Sequence, residues 1–573
     1  MNYSTIARTL TTGIRLTTTT VLLACLFTVV QPVQAGDYEV TNTNDSGPGS
    51  LRAAITQANS SPGEDTITFS SAINGAAIVL SGAASEDANA SGDLDILDGG
   101  GLTIQGNGAS LTIIDGGLVD RVFHICPGGG CTNTVTITGV TVRNGSVTDG
   151  GGGIENNGTL IIQSSNIGVS GVGNSAYFGG GIYNAAGTTT VVGSAVSANT
   201  ADFGGGIYNA YSATLNIQNG STIGGIGAGN FASVNGGGIF NSAGSVTVIN
   251  SNVSDNTANS GGGIFNWEEG ILIITNSTIG GAEAGNTASE EGGGIFNQYT
   301  GITTVNGSAI SANTANYGGG IYNNGTLNIQ GSSTIGGSGV GNEASTSGGG
   351  IFNHTAGTIT VEGSAVSANT ALFGGGIFNA ATLTVQSVST IGGAGAGNAA
   401  NNYGGGIYIE TGGTTTVDGS TVSANTANHG GGIYNLATMN VQTGSTIGGV
   451  GAGNTATTEG GGIYNASGTT TVNGSRVLAN TATNGGGVYN DTDATWATIV
   501  TGSCIVGNSD TSLFNNKAAQ QNATANWWGA ATGPNTSSAD TVSINVNWTG
   551  FLSEPILGCG FSSIDIYLPL VLK

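Results

Sequence analysis

Charge is scarce in this sequence. Asp, Glu, Lys and Arg together make up 7% of 573 residues, where about 25% is usual for a soluble domain. Positive charge is scarcer still, with 8 Lys and Arg against 32 Asp and Glu. A nucleic-acid binder needs a basic surface, so that class is excluded. The acids are spread thinly and act mainly to keep the chain soluble. Long apolar runs are missing too. The longest, Val21 to Val30, is too short for a bilayer, which needs ~20 residues. The three histidines, His124, His354 and His429, share no ligand spacing with the cysteines, which argues against a zinc site. Proline is down to 7 residues. Together with 107 glycines it stays below the roughly 25–30% that marks aperiodic disorder. Glycine at this level needs a geometric reason.

A repeat supplies it. Gly-Gly-Gly followed by Ile or Val starts at Gly151, Gly179, Gly204, Gly236, Gly261, Gly292, Gly318, Gly348, Gly374, Gly404, Gly430, Gly460 and Gly485. Successive steps are 28, 25, 32, 25, 31, 26, 30, 26, 30, 26, 30 and 25 residues. Short and long units alternate, with a larger period of about 56. One unit per solenoid coil is the expected reading. In the short unit from Gly179, Val191 and Val196 are core candidates. In the long unit from Gly204, Leu215, Ile217 and Ile223 take the equivalent inward places. Short alternating segments rich in Val, Ile and Thr, broken by Gly or Asn, are strands. The extra residues of the long unit, of the type GGxGAGN, are expected to bulge at one corner.

Asparagine recurs at two fixed places. One closes most GGGI[YF]N segments: Asn184, Asn209, Asn241, Asn266, Asn297, Asn323, Asn353, Asn379, Asn435, Asn465 and Asn490. Another lies five or six residues before the glycines: Asn199, Asn230, Asn256, Asn286, Asn313, Asn342, Asn369, Asn398, Asn425, Asn454 and Asn480. Coil stacking would superpose like positions, so the amides can bond along ladders, and Asn tolerates the left-handed backbone of a tight corner. Glycine turns the chain without Cβ clashes. The Tyr or Phe before the first Asn would stack along the axis. Two units depart: Glu155 stands at the aromatic place and Ile409 at the Asn place.

The pattern NTAxxxGGGI[YF]N resembles the repeat of chlamydial polymorphic membrane proteins, which pairs a GGA[ILV]-type with an FxxN-type segment. The resemblance covers roughly Asn144 to Asn516. It implies an all-β, right-handed parallel β-helix and a surface or adhesin-like role. No autotransporter-type barrel segment follows, so that family's membrane attachment is not carried over.

The flanks read differently. Residues 1–35 read as a signal peptide: Arg8 and Arg15 precede the apolar run, and Val33-Gln34-Ala35 fits cleavage near Ala35. Leu22-Leu23-Ala24-Cys25 is an alternative lipoprotein box. Cleavage near Ala35 leaves six basic residues against 32 acidic ones, a net charge near −26. Residues 36–100 read as an N-terminal cap with a short helix, where Ser50 is the N-cap and Leu51, Ala54, Ile55 and Ala58 form one apolar face. GSLRAAI there resembles the N-terminal region of exported β-helix proteins of the CSLREA type. Asp93, Asp95 and Asp98 could hold calcium, or simply make turns. Residues 101–150 read as entry coils, and 151–515 as the repeats, with coils of about 25 and 31 residues. Residues 516–560 read as a C-terminal cap. Its Asn526-Trp527-Trp528-Gly529 and Gly533-Pro534 resemble a string near the C-terminal end of bacterial β-helix domains, and Trp548 and Phe551 could join it. Residues 561–573 form an apolar tail, IYLPLVLK at its end. Cys126 with Cys131, and Cys504 with Cys559, could be disulfides or remain free thiols.

These features point to a secreted or cell-surface bacterial protein without catalysis, adhesin-like or part of an envelope or matrix. Glycans or cell-surface ligands are the expected partners. The alternative is a polysaccharide lyase or glycoside hydrolase on a β-helix scaffold. That needs clustered carboxylates, and the adjacent pairs Glu268-Glu269 and Glu290-Glu291 are expected on turns. Ice binding would use Thr188-x-Thr190, Thr358-x-Thr360, Thr414-x-Thr416 and Thr469-x-Thr471. Thr214-x-Asn216 and Thr326-x-Asn328 are expected to interrupt that array at every second coil. The GGxGxDxUx calcium repeat is absent.

Overall fold

The computed structural model describes residues 35–82, 87–97, 100–556 and 559. The signal segment, Cys25, Asp98 and the IYLPLVLK tail lie outside them. The chain forms a parallel β-helix of about 17 turns, as the repeat implied. One coil shows the plan, with strands Ile207–Asn209, Thr214–Gln218, Thr222–Gly224 and Phe231–Asn235. Each strand pairs in parallel with its counterpart in the next coil, so four sheets run along the axis. The first sheet holds the Ile-aromatic-Asn strands and has 16 members. The second has 19, the third 16 and the fourth 10. The fourth spans Thr200–Phe203 to Thr455–Glu459, the middle of the stack.

Register is like over like: Ile207 pairs with Ile239, Tyr208 with Phe240 and Asn209 with Asn241. The period-2 alternation of the strands explains what points where. Leu215, Ile217 and Ile223 face inward and are fully buried, as are Val191 and Val196 of the coil before. One continuous apolar core runs from Val40 to Val546.

Short and long coils differ at the corner between the third and fourth strands, where the extra residues were expected. The long coil uses Gly224, Gly225 and Gly227, all with positive φ. The short coil turns in fewer residues through Ala198, with φ +57°. The same place in other short coils holds Asp255, Ala312, Ala368, Ala424 and Ala479, also left-handed. The fourth strands, of four residues in short coils and five in long ones, absorb the remaining one-residue difference through register shifts at each step.

Both ends are covered. Helix α1, Leu51–Ser60, is capped by Ser50, whose Oγ accepts from the Ala53 N–H at 3.2 Å. It buries Leu51, Ala54, Ile55 and Ala58, and also Arg52, against Asp37–Val40, Asp65–Phe69 and Leu94–Ile96. At the other end Trp528 is fully buried and closes the core. Trp527 packs instead beside Cys504 and Cys559, while Trp548 and Phe551 lean against the last coil. Disulfides join Cys126 to Cys131 and Cys504 to Cys559. Among the described residues no helix is long and apolar enough to cross a membrane.

Candidate functional site

The recurrent asparagines form two internal ladders. In the first, each Nδ2 donates to the Oδ1 of the next coil from Asn156 through Asn184 to Asn379, at 2.7–3.0 Å. Ile409 breaks it. There the Asn379 amide donates to Thr415 Oγ1 at 3.0 Å instead, so no amide is stranded. The ladder resumes at Asn435 and runs through Asn465 and Asn490 to Asn515.

The second ladder is unbroken from Asn174 to Asn508, with links of 2.9–3.0 Å. Each Nδ2 also donates to a carbonyl of the preceding coil, as Asn230 does to Val196 at 2.9 Å. Each Oδ1 also accepts the backbone N–H of the preceding Asn, as Asn256 does from Asn230 at 3.0 Å. All four bonding capacities of the amide are therefore used. The asparagines do not occupy the left-handed corner expected of them. The residue before each short-coil Asn does, because the amide must point inward from ordinary backbone to reach its neighbours.

A serine ladder was missed in the sequence. From Ser251 to Ser445 each backbone N–H donates to the next hydroxyl at 3.1–3.3 Å. The one Ser per unit just before the third strand was its signal. Asn156, Asn174, Asn508 and Asn515 were missed as well, although Asn174 fits the spacing before Gly179.

On the outer side of the first sheet, rings from Tyr208 to Phe514 stack at 4.6–5.3 Å with interplanar angles of 3–18°. Such contacts contribute about 0.5–1.5 kcal/mol each beyond area burial. Burial pushes the Tyr434 and Tyr489 hydroxyls up to about 12, so these rings stay neutral. On the second sheet the threonine array is more continuous than expected. Thr358, Thr382 and Thr414 align, as do Thr360, Thr384 and Thr416, because Thr384 fills the coil between. Asn216, Asn328 and Ile273 still interrupt the second column elsewhere. Glu268 and Glu269 lie on a turn. Glu290 and Glu291 do not: they end strand Thr287–Glu291, Glu290 exposed and Glu291 half-buried.

The aromatic column begins at a different kind of site. Asp95 pairs in register with His124, His124 with Glu155, and Glu155 with Tyr183. The N-terminal coils thus carry ionisable groups where later coils carry rings. Asp93 and Asp95 are fully buried; Asp93 lies on the bend before strand Leu94–Ile96, in keeping with the turn reading, whereas Asp95 lies within the strand. Arg121 reaches Asp93 at 3.3 Å, and Asp149 and Glu155 at 3.1 Å each. Burial, with Asp95 and Asp120 close by, pushes Asp93 up to about 7. Burial works against charge on His124, but Asp95 and Glu155 raise it overall. Asp95 Oδ2 accepts the Asn89 N–H at 2.7 Å, whereas Asp95 Oδ1 and His124 Nδ1 have no hydrogen-bond partner. Asp87, Asp95 and His124 bring one ligand atom each to within 4.8 Å of the others. Of the sequence candidates, Asp95 belongs to this group and Asp93 does not, while Asp98 lies outside the described residues. The legible signal for the rest was the triplet alignment Leu-Asp-Ile, Phe-His-Ile and Ile-Glu-Asn at one strand position.

No protein-family model matches the chain, and no curated protein does. The class defined by fold and ladders is that of the parallel β-helix repeat proteins.

Proposed function

We propose that this is a non-catalytic secreted or cell-surface β-helix, adhesin-like or a component of an envelope or matrix. The observation that carries the reading is the use of the recurrent polar groups. The two Asn ladders and the Ser ladder are buried and bonded to one another. What recurs outwardly is a set of long columns, with Thr on one side and stacked rings on another. About 17 turns at ~4.8 Å make a rod of about 80 Å, and repeated weak contacts along such a face add through multivalency. The likeness of NTAxxxGGGI[YF]N to chlamydial polymorphic membrane protein repeats, and the signal-like residues 1–35, support a location outside the cytoplasm. A carbohydrate-active enzyme is the less favoured reading. The carboxylate pairs considered for it sit apart, Glu268-Glu269 on a turn and Glu290-Glu291 at the end of a strand, and Asp93 and Asp95 are fully buried, out of reach of a glycan chain.

The test is a glycan-array and whole-cell binding screen on residues 36–560, with polysaccharide cleavage assayed on the same preparation. Binding to a surface glycan or cell, weakened about tenfold or more when the repeats are shortened, is the expected outcome. Glycan turnover abolished by one carboxylate substitution would replace this reading with the enzymatic one.

A further inference from the structure

We propose that Asp87, Asp95 and His124 bind one divalent transition-metal ion, of the Zn²⁺ class, at the N-terminal root of the aromatic column. The geometry comes first. His124 Nδ1 lies 3.2 Å from Asp87 Oδ1 and 3.5 Å from Asp95 Oδ1. Ligand atoms around a tetrahedral ion with bonds of ~2.1 Å stand about 3.4 Å apart. The two measured edges bracket that value.

The bonding of the ligand atoms points the same way. Asp95 Oδ1 and His124 Nδ1 are buried and without a hydrogen-bond partner, although almost every other buried polar side chain in the described residues is bonded. They face each other at 3.5 Å, and Nδ1 faces Asp87 Oδ1 at 3.2 Å, so a buried carboxylate oxygen and an imidazole nitrogen converge, without a hydrogen bond, on a point where a cation would satisfy both.

The surroundings hold these atoms in place. Asp95 Oδ2 is tied to the Asn89 N–H, which leaves Oδ1 to face the site. On the far side of the ring, His124 Nε2 lies 3.4 Å from the Asn157 amide and 3.7 Å from Glu155 Oε1. Without metal the Nδ1 proton faces the two aspartates, and a bound ion would take the place of that proton. A carboxylate behind a ligating imidazole is the usual outer support of such sites. Charge balance agrees: Asp93, Asp149 and Glu155 lie around the guanidinium of Arg121, so the ion-pair partner given to Asp87 and Asp95 is the His124 ring itself, and a divalent ion would supply more positive charge there.

The ligand set decides the metal class. One imidazole with two carboxylates suits Zn²⁺ or a similar transition ion, whereas Ca²⁺ takes 6–8 oxygen ligands. Asp87 is 70% exposed at its side chain and gives an entry path from solvent.

The experiment uses the full chain, stripped with chelator, dialysed and titrated with Zn²⁺ by calorimetry, with metal content measured after gel filtration. Co²⁺ substitution gives a spectroscopic readout of the ligand field. One ion per chain is expected, weakened at least about tenfold by Asp87→Asn and by His124→Gln. Because Asp87 is exposed, its substitution leaves folding intact, and circular dichroism of each variant checks this. Absence of stoichiometric Zn²⁺ would overturn the proposal. So would Zn²⁺ binding indifferent to both substitutions, or a Ca²⁺ preference unaffected by His124→Gln.

Discussion

Gly293→Ala should lower the stability of the rod by about 4 kcal/mol or more. Gly293 is the second glycine of its triplet. A Cβ there would lie 2.5 Å from the Gly319 carbonyl oxygen and 2.5 Å from that of Thr314. Both atoms belong to the backbone of the next coil. Neither can swing aside as a side chain end would, so the coils must separate or the strand must shift. Separation breaks parallel pairing on the first and fourth sheets at once. Gly227→Ala is the control. Its φ is +69° and its Cβ would meet nothing within 4 Å, so only the left-handed backbone penalty of about 1–2 kcal/mol applies. Denaturant unfolding of the two variants compares them directly. Equal losses would mean that the triplet glycines serve turning alone.

Asn313→Ala should be nearly as costly, at about 3–5 kcal/mol. The Asn313 amide donates to the Ile279 carbonyl at 3.0 Å and to Asn342 Oδ1 at 2.9 Å. Its Oδ1 accepts the Asn286 backbone N–H and Nδ2, both at 3.0 Å. Truncation removes four bonds inside a region closed to water. The Ile279 carbonyl and the Asn286 N–H lose buried partners, and each such loss costs about 1–3 kcal/mol. Asn316 is three residues away and its amide bonds an exposed carbonyl, that of Ser289. Asn316→Ala should change stability by no more than about 0.5 kcal/mol. Hydrogen exchange would place the weakness of Asn313→Ala in the coils on either side, because solenoid coils couple chiefly to nearest neighbours.

These contrasts show where reading a sequence succeeds. The repeat period, the inward positions Leu215, Ile217 and Ile223, the two Asn ladders, the ring column and the helix at Leu51–Ser60 all follow from one-dimensional spacing. Spacing says that positions superpose, but not at what distance or with which backbone shape. The glycines illustrate this. They were expected to be corner residues, and the first of each triplet is one, as at Gly261 with φ +64°. The second and third are glycine because the next coil's carbonyls occupy the place of a Cβ, a fact of inter-coil distance. The alanines at left-handed corners carry no such signal, since nothing in Ser-Ala-Asn marks Ala198 as strained. The N-terminal cluster was harder still. Asp95 and His124 come from coils that lack the repeated motif, so no self-similarity aligned them with Glu155, which stands at the aromatic place of the first repeat. Only the strand register brings them into one column.

The central claim is that the recurrent residues make each two-coil period a self-sufficient stacking module. Excising residues 318–373 removes one long and one short coil and keeps their alternation. The first strand at Ile377–Asn379 would then stack on Ile295–Asn297, with Ile, an aromatic ring and Asn again in register. Small-angle scattering and thermal melting of the shortened chain test this most directly. The expected result is a folded rod about 10 Å shorter, melting within a few degrees of the parent. A chain that unfolds, or that shortens by an amount unrelated to two coils, would contradict it.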